Sequence, residues 1–150
     1  MIKIQFEKMH ISDLDAVMAI ELTNYPVPWS KGVMKDCIKS RYQCITLKIS
    51  EDIIGYAFLL VNLDESHLLN MCIDKKYQGK GYGRKLLNYL ENICHYHNSQ
   101  NFILEVRESN PIAQSLYLSF GFTEIGIRKN YYETLEGREH AIVMLKQLQD

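Results

Sequence analysis

Three glycines at alternate positions, Gly79, Gly81 and Gly83, fall within YQGKGYGRKLL, directly before a segment whose apolar residues recur at helical spacing. Glycine gives up side-chain packing and costs conformational entropy, so such a run marks backbone that turns tightly or is approached closely. A helix start leaves about four amide N–H groups unpaired and carries partial positive charge; glycines keep those amides open. The stretch therefore reads as a grip for a phosphate or pyrophosphate, with a plain glycine turn as the other reading. Better-known phosphate loops do not fit. A G-x-G-x-x-G fingerprint needs glycine where Arg84 stands, and a P-loop needs Lys-Ser or Lys-Thr after its last glycine.

Other residues could do chemistry downstream. Glu105 ends the apolar run NFILEVR, where a carboxylate is costly to bury without a partner or a purpose; it is a general-base candidate or a solvent-facing strand-end residue. Tyr117 lies on the stripe Ala113, Leu116, Tyr117 and Phe120, where spacing alone favours a core tyrosine with a satisfied hydroxyl. Cys72 sits in an apolar run with no histidine partner nearby in sequence, so a buried thiol is favoured over a nucleophile. Asn110, before Pro111, suits a helix cap. Arg84 and Lys85 either reach toward phosphate or form a solvated face, and only their backbone amides enter the anion argument.

The elements that must position these residues follow from periodicity. Ile2 to Phe6 alternates as a strand, Ser12 is placed as the cap of a first helix ending near Asn24, and YPVPWS breaks regular structure before Ser30 caps a second helix carrying Val33, Met34, Cys37 and Ile38. YQCITLKIS, IIGYAFLLVNL and HLLNMCI read as an antiparallel meander. After the glycines, Leu86, Leu90, Ile93 and His97 mark a third helix; NFILEVR is a strand, PIAQSLYLSFGF a helix closed by Gly121, and two β runs joined by a turn at Glu133 to Gly137 finish the chain. A strand-helix-strand crossover from HLLNMCI to NFILEVR makes that pair parallel. The expectation is an α/β fold with a mixed sheet of about seven strands, helices on both faces and a ligand site where parallel strands end.

The 150 residues match one domain, 47% hydrophobic and 23% charged, with net charge −1 and hence no basic surplus for nucleic acid. Cys37, Cys44, Cys72 and Cys94 show no C-x-x-C pairing and read as buried thiols. The N-terminus lacks the apolar run of a signal peptide, and no stretch approaches the ~18 apolar residues of a membrane span, so the cytoplasm is the expected compartment and no membrane contact is expected.

The glycine loop resembles the Q-x-x-G-x-G/A signature of the GNAT family of N-acetyltransferases, matched by Gln78, Gly81 and Gly83. PWS at Pro28 to Ser30, the strand and loop from Asn70 through Arg84, LEVRESN, SLY at Ser115 to Tyr117, GF at Gly121 and Phe122, RKNYY and GREHAIVM together resemble the family's ribosomal-protein-alanine branch, the RimI type. Lys129 and Pro111 are departures that leave the assignment standing. The resemblance implies the GNAT acyl-CoA N-acyltransferase fold over 1–150 as a single N-acetyltransferase domain, with acetyl-CoA as cosubstrate and no metal. It implies pyrophosphate on amides of the stretch Gln78, Gly79, Lys80, Gly81, Tyr82, Gly83 and Arg84, and a cofactor contact from Asn110. It also implies a bulged fourth strand, splayed from the fifth, whose amides at Met71, Cys72 or Ile73 polarise the thioester carbonyl. Transfer is direct, with Glu105 as general base and Tyr117 as general acid. A phenol of ordinary pKa ~10 stays protonated at neutral pH and can donate to a thiolate whose thiol titrates near ~8.5.

At pH 7 an α-amine of ordinary pKa ~7.9 is roughly a tenth neutral, whereas lysine near ~10.4 is neutral at only a few parts in ten thousand. The branch resemblance implies the N-terminal alanine of a small-subunit ribosomal protein as acceptor. The loop at Pro28 and Trp29 and the hairpin at Tyr131 and Tyr132 would wall its cleft, with Glu21 near the ammonium or merely solvent-exposed. The alternatives are acetylation of a lysine or a small amine, and a non-catalytic CoA-binding regulatory module.

Overall fold

Burial alternates along NFILEVR, with Phe102, Leu104 and Val106 buried and Ile103, Glu105 and Arg107 only partly so; this is the period of a strand with two different faces. In the computed structural model, which describes residues 2–149, that strand is β5 (Asn101–Arg107) of a seven-stranded sheet. Its companions are β1 (Ile4–Lys8), β2 (Gln43–Ile49), β3 (Asp52–Leu60), β4 (Glu65–Ile73), β6 (Thr123–Thr134) and β7 (Gly137–Gln147), in the order β1-β2-β3-β4-β5-β7-β6. All neighbours are antiparallel except β4 and β5, which the crossover through a helix makes parallel.

Helices α1 (Leu14–Asn24), α2 (Lys31–Lys39), α3 (Tyr82–Tyr96) and α4 (Pro111–Phe120) divide the core in two. Leu86, Leu87, Leu90 and Cys94 of α3 pack with Phe102, Leu104 and Val106. Leu14, Val17 and Ile20 of α1 pack with Met34 and Cys37 of α2 against Tyr56, Phe58 and Cys72. Helices on both faces and the parallel central pair agree with the periodicity. The four cysteines are free and buried, as expected of thiols without partners.

Several local expectations give way. The first strand is set two residues later than its alternation suggests, because pairing runs from Ile4 opposite Ile49 to Lys8 opposite Ile45. Ser12 lies inside a 3-10 turn, Ile11–Asp13, and the end of that turn is tied instead by the His10 N–H donating to Asp13 at 2.8 Å. His97 is exposed beyond the end of α3, whose buried residues are Tyr82, Leu86, Leu87, Leu90 and Cys94. Ser30 does cap α2, accepting the Val33 N–H at 3.1 Å. Asn110 caps α4 through the Ala113 N–H at 3.2 Å, and Gly121 closes that helix in the left-handed region at φ 112°.

Candidate active site

β4 and β5 are paired only as far as Leu68 opposite Leu104. On its other side β4 skips Leu69 in its register with β3, passing from Leu68 opposite Leu59 to Asn70 opposite Phe58, and such a bulge bends the strand. Beyond it the two parallel strands part and open a cleft of about 950 Å³. The expected bulge and splay are therefore present. Along the freed edge, the Met71 carbonyl accepts the Tyr25 hydroxyl at 2.8 Å and the Ile73 carbonyl accepts Gln78 Nε2–H at 2.7 Å. Amides and carbonyls alternate sides along a strand, so Met71 and Ile73 face the cleft and the Cys72 amide turns to β3. Burial raises the Cys72 thiol to about 11, which leaves it a poor nucleophile at neutral pH.

At one end of the cleft lies the start of α3. Gly79 and Gly81 have φ of 75° and 88°, values that L side chains adopt at a cost, and Gly81 is the residue from which α3 departs. Gly83 serves another need: a Cβ there would stand 3.2 Å from Leu116 Cδ2, so its absence lets α3 approach α4. The first intrahelical bond is from the Lys85 N–H to the Gly81 carbonyl, and no side chain caps the amides before it. Gln78 ties the loop to the end of α1 through Asn24 Oδ1 at 3.0 Å, besides its bond to Ile73. The Arg84 guanidinium is held by the Ser119 hydroxyl and stacks over Phe120.

At the other end, the 5% exposed Glu105 side chain has His67 Nε2 at 3.0 Å from Oε1 and 2.9 Å from Oε2, and Arg128 Nη1 3.5 Å from Oε1. Burial pushes this carboxyl up, but the hydrogen bond and the charge that His67 can bring, hydrogen bonding from Tyr131 and the Arg128 charge outweigh it and hold the group below its ordinary 4.5. Tyr117 is buried, its ring edge-on to Phe122 at 5.9 Å, and among the described residues its hydroxyl makes no hydrogen bond. Burial, with the nearby Cys72 thiol, pushes its phenol well above the ordinary range, so it remains protonated.

Tyr131 and Tyr132 reach the cleft because three residues of β6, Lys129 to Tyr131, bulge out opposite His140, with Asn130 at φ 53°. Pro28 and Trp29 line the facing wall, and Trp29 packs on Phe58 at 5.2 Å. Glu21, 1% exposed, is not the solvent-facing residue allowed for above. It accepts the Trp29 N–H at 2.8 Å, Asn70 Nδ2–H at 3.0 Å and the Tyr56 hydroxyl, and so pins the aromatic loop to β3 and β4.

The cleft thus gathers Glu21, Pro28, Trp29, Met71, Cys72, Ile73, Gln78, Gly79, Gly81, Gly83, Arg84, Glu105, Asn110, Tyr117, Tyr131 and Tyr132, but not Lys80 or Tyr82. Lys80 is exposed, and the Tyr82 ring is buried in the core beside Tyr77, so only its backbone amide belongs to the helix start. Sequence reasoning missed His67, Tyr25 and Asn70 as partners of these groups. His67 has a weak signal, a polar residue on the half-exposed parity of a strand whose other half, at Ser66 and Leu68, is buried.

A sheet parted around one cleft that is lined by open amides, a paired carboxylate and a phenol without a hydrogen-bond partner defines an α/β group-transfer protein. Residues 24–133 match the family described as an acetyltransferase (GNAT) domain, and the chain belongs to that family. It is 40% identical to the [ribosomal protein bS18]-alanine N-acetyltransferase of Haemophilus ducreyi, over 88% of this chain and 92% of that protein. The enzyme of the same name from Haemophilus influenzae is 42% identical, over 88% and 90% of the two chains. The crystal structure of the ribosomal-protein-S18-alanine N-acetyltransferase from Escherichia coli superposes with a TM-score of 0.90 at 35% identity, covering 99% of this chain and 96% of that one.

Proposed function

We propose that this chain, acting as one domain, transfers the acetyl group of acetyl-CoA directly to the α-amine of the N-terminal alanine of the ribosomal protein bS18. One observation carries the reading: a single cleft joins an uncapped helix start to a buried carboxylate and an unpartnered phenol along a free strand edge. Relatives named for that activity match about nine tenths of both chains. The amides at the start of α3 hold the pyrophosphate, with Asn110 beside the cofactor, and the pantetheine arm lies along β4. The Met71 and Ile73 amides face the thioester carbonyl and stabilise its developing oxyanion.

The position of the Glu105 carboxyl decides how the amine is deprotonated. With the carboxyl below 4.5, removing a proton from a free α-ammonium near ~7.9 costs more than ~4 kcal/mol, whereas drawing on the neutral tenth already present at pH 7 costs only ~1.3 kcal/mol. The amine therefore enters neutral, oriented by Glu105, and Glu105 takes the proton that nitrogen sheds as the C–N bond forms. As the C–S bond breaks, Tyr117 protonates the departing thiolate. A ribosomal acceptor supports a cytoplasmic site for this chemistry.

The test is incubation of purified protein and acetyl-CoA with an alanine-starting bS18 peptide and its Nα-blocked form, following thiol release and peptide mass. Turnover of the free peptide alone is expected. Equal turnover of the two would sink the α-amine assignment.

A further inference from the structure

Glu105 does not hold its own orientation. Its carboxylate meets His67 of β4 one rung before the last that joins β4 and β5, where His67 stands opposite Ile103, two residues before Glu105 on the same face of β5. Both carboxylate oxygens lie within 3.0 Å of one imidazole nitrogen, whereas Arg128 approaches one oxygen at 3.5 Å from a 54% exposed side chain. His67 lies outside the cleft lining, behind the carboxylate that lines it, and keeps 27% of its side chain in water. It is therefore placed to act on the reaction only through Glu105, and to sense solvent pH while doing so.

We propose that His67 is a positioning residue for Glu105, its neutral ring donating Nε2–H to the carboxylate, and that protonation of the ring turns the carboxylate from a proton acceptor into a tight ion-pair partner. This rests on the reading of Glu105 as the acceptor of the amine proton. An ionised carboxylate accepts and cannot donate, so the facing nitrogen must carry hydrogen, which puts the neutral ring's lone pair on Nδ1. A second proton, taken up at Nδ1, adds a full positive charge beside the carboxylate and weakens it as a base. The charged and titratable groups around the pair are Arg128, Tyr131 and Tyr132 from β6, Arg107 further along β5, and Glu65 on the same face of β4; β3 offers Leu60 opposite His67. Imidazole is the side-chain type in that group whose charge ordinarily changes between pH ~5 and ~8.

The pH dependence of kcat/KM reads this directly. Neutral amine falls tenfold per pH unit below its own pKa, a slope of about 1 on a logarithmic plot, and loss of the proton acceptor adds about 1 more at the acid end, between pH ~8 and ~5. Wild-type protein is expected to bend from the first slope toward the second. His67→Gln keeps a neutral donor, loses less than about tenfold at pH ~8 and stays on a slope of about 1 throughout. His67→Lys, cationic over the whole range, is depressed even at pH ~8. A His67→Gln profile parallel to wild type would overturn the proposal. Nitrogen-15 shifts of the His67 ring in the free protein at pH ~8 supply a check that needs no substrate: Nε2–H is expected, and an Nδ1–H tautomer overturns the proposal even if the acceptor proves to be another amine.

Discussion

The two ends of the cleft are built from different materials. The α3 end is main chain: two left-handed glycines and a run of uncapped amides, with Gly83 thinned to let α4 approach. The Glu105 end is side chain, assembled from α1, β4, β5, α4 and the β6 bulge, with Glu21, Glu105 and Tyr117 all withdrawn from bulk water. A main-chain site depends on local conformation and tolerates changes in most neighbouring side chains. A side-chain site depends on partners from distant segments and fails when any one of them is removed.

Substitutions at the two ends should therefore separate binding from chemistry. The largest effect is expected from Glu105→Gln, a loss of about 10²–10⁴ in kcat/KM with an unchanged circular dichroism spectrum. The same residue has a stability signature. A carboxyl held below its ordinary 4.5 contributes stability that is fully present above that value and lost as pH falls through the folded-state value. Urea melts between pH ~6 and ~3 should show that loss in wild type, and Glu105→Gln should lack this component of it.

Glu21→Ala comes next, because it leaves the Tyr56 hydroxyl, the Asn70 amide and the Trp29 N–H without their acceptor; chemical denaturation should show a loss of about 3 kcal/mol. Tyr117→Phe keeps the ring on Phe122 and removes only the unpartnered hydroxyl, so kcat should fall about 10- to 100-fold with stability held. The smallest effect belongs to the main-chain end. Gly81→Ala forces a side chain into φ 88° at a cost of roughly 1–2 kcal/mol, and should raise KM for acetyl-CoA about tenfold while leaving kcat near wild type. If Gly81→Ala instead lowered kcat as much as Tyr117→Phe does, the division between a binding end and a chemical end would collapse.

Legibility followed the same division. Apolar periodicity located every strand and helix, because burial of one face imposes the period wherever the element sits; its errors, the first strand's ends, Ser12 and His97, lie at termini that pairing and capping decide. The glycine loop was readable because backbone geometry selects residue type locally. Glu105 was left between two readings because its partners lie at His67 and Arg128, far off in sequence. Glu21 was likewise left between an ammonium contact and a solvent-facing residue, because Tyr56 and Asn70, which enclose it together with Trp29, lie far off in sequence.

What the sequence by itself determined is the set of elements, the parallel crossover and the local backbone chemistry of Gly79 to Gly83, all consequences of patterns no longer than one element and its connection. The tertiary structure alone decided that β4 parts from β5 after Leu68, that the Cys72 amide turns to β3, and that Glu105 is paired while the Tyr117 hydroxyl stays free. Those facts depend on which strands become neighbours and which faces meet, and a carboxylate or phenol acquires its chemistry from the dipoles, charges and water around it in space.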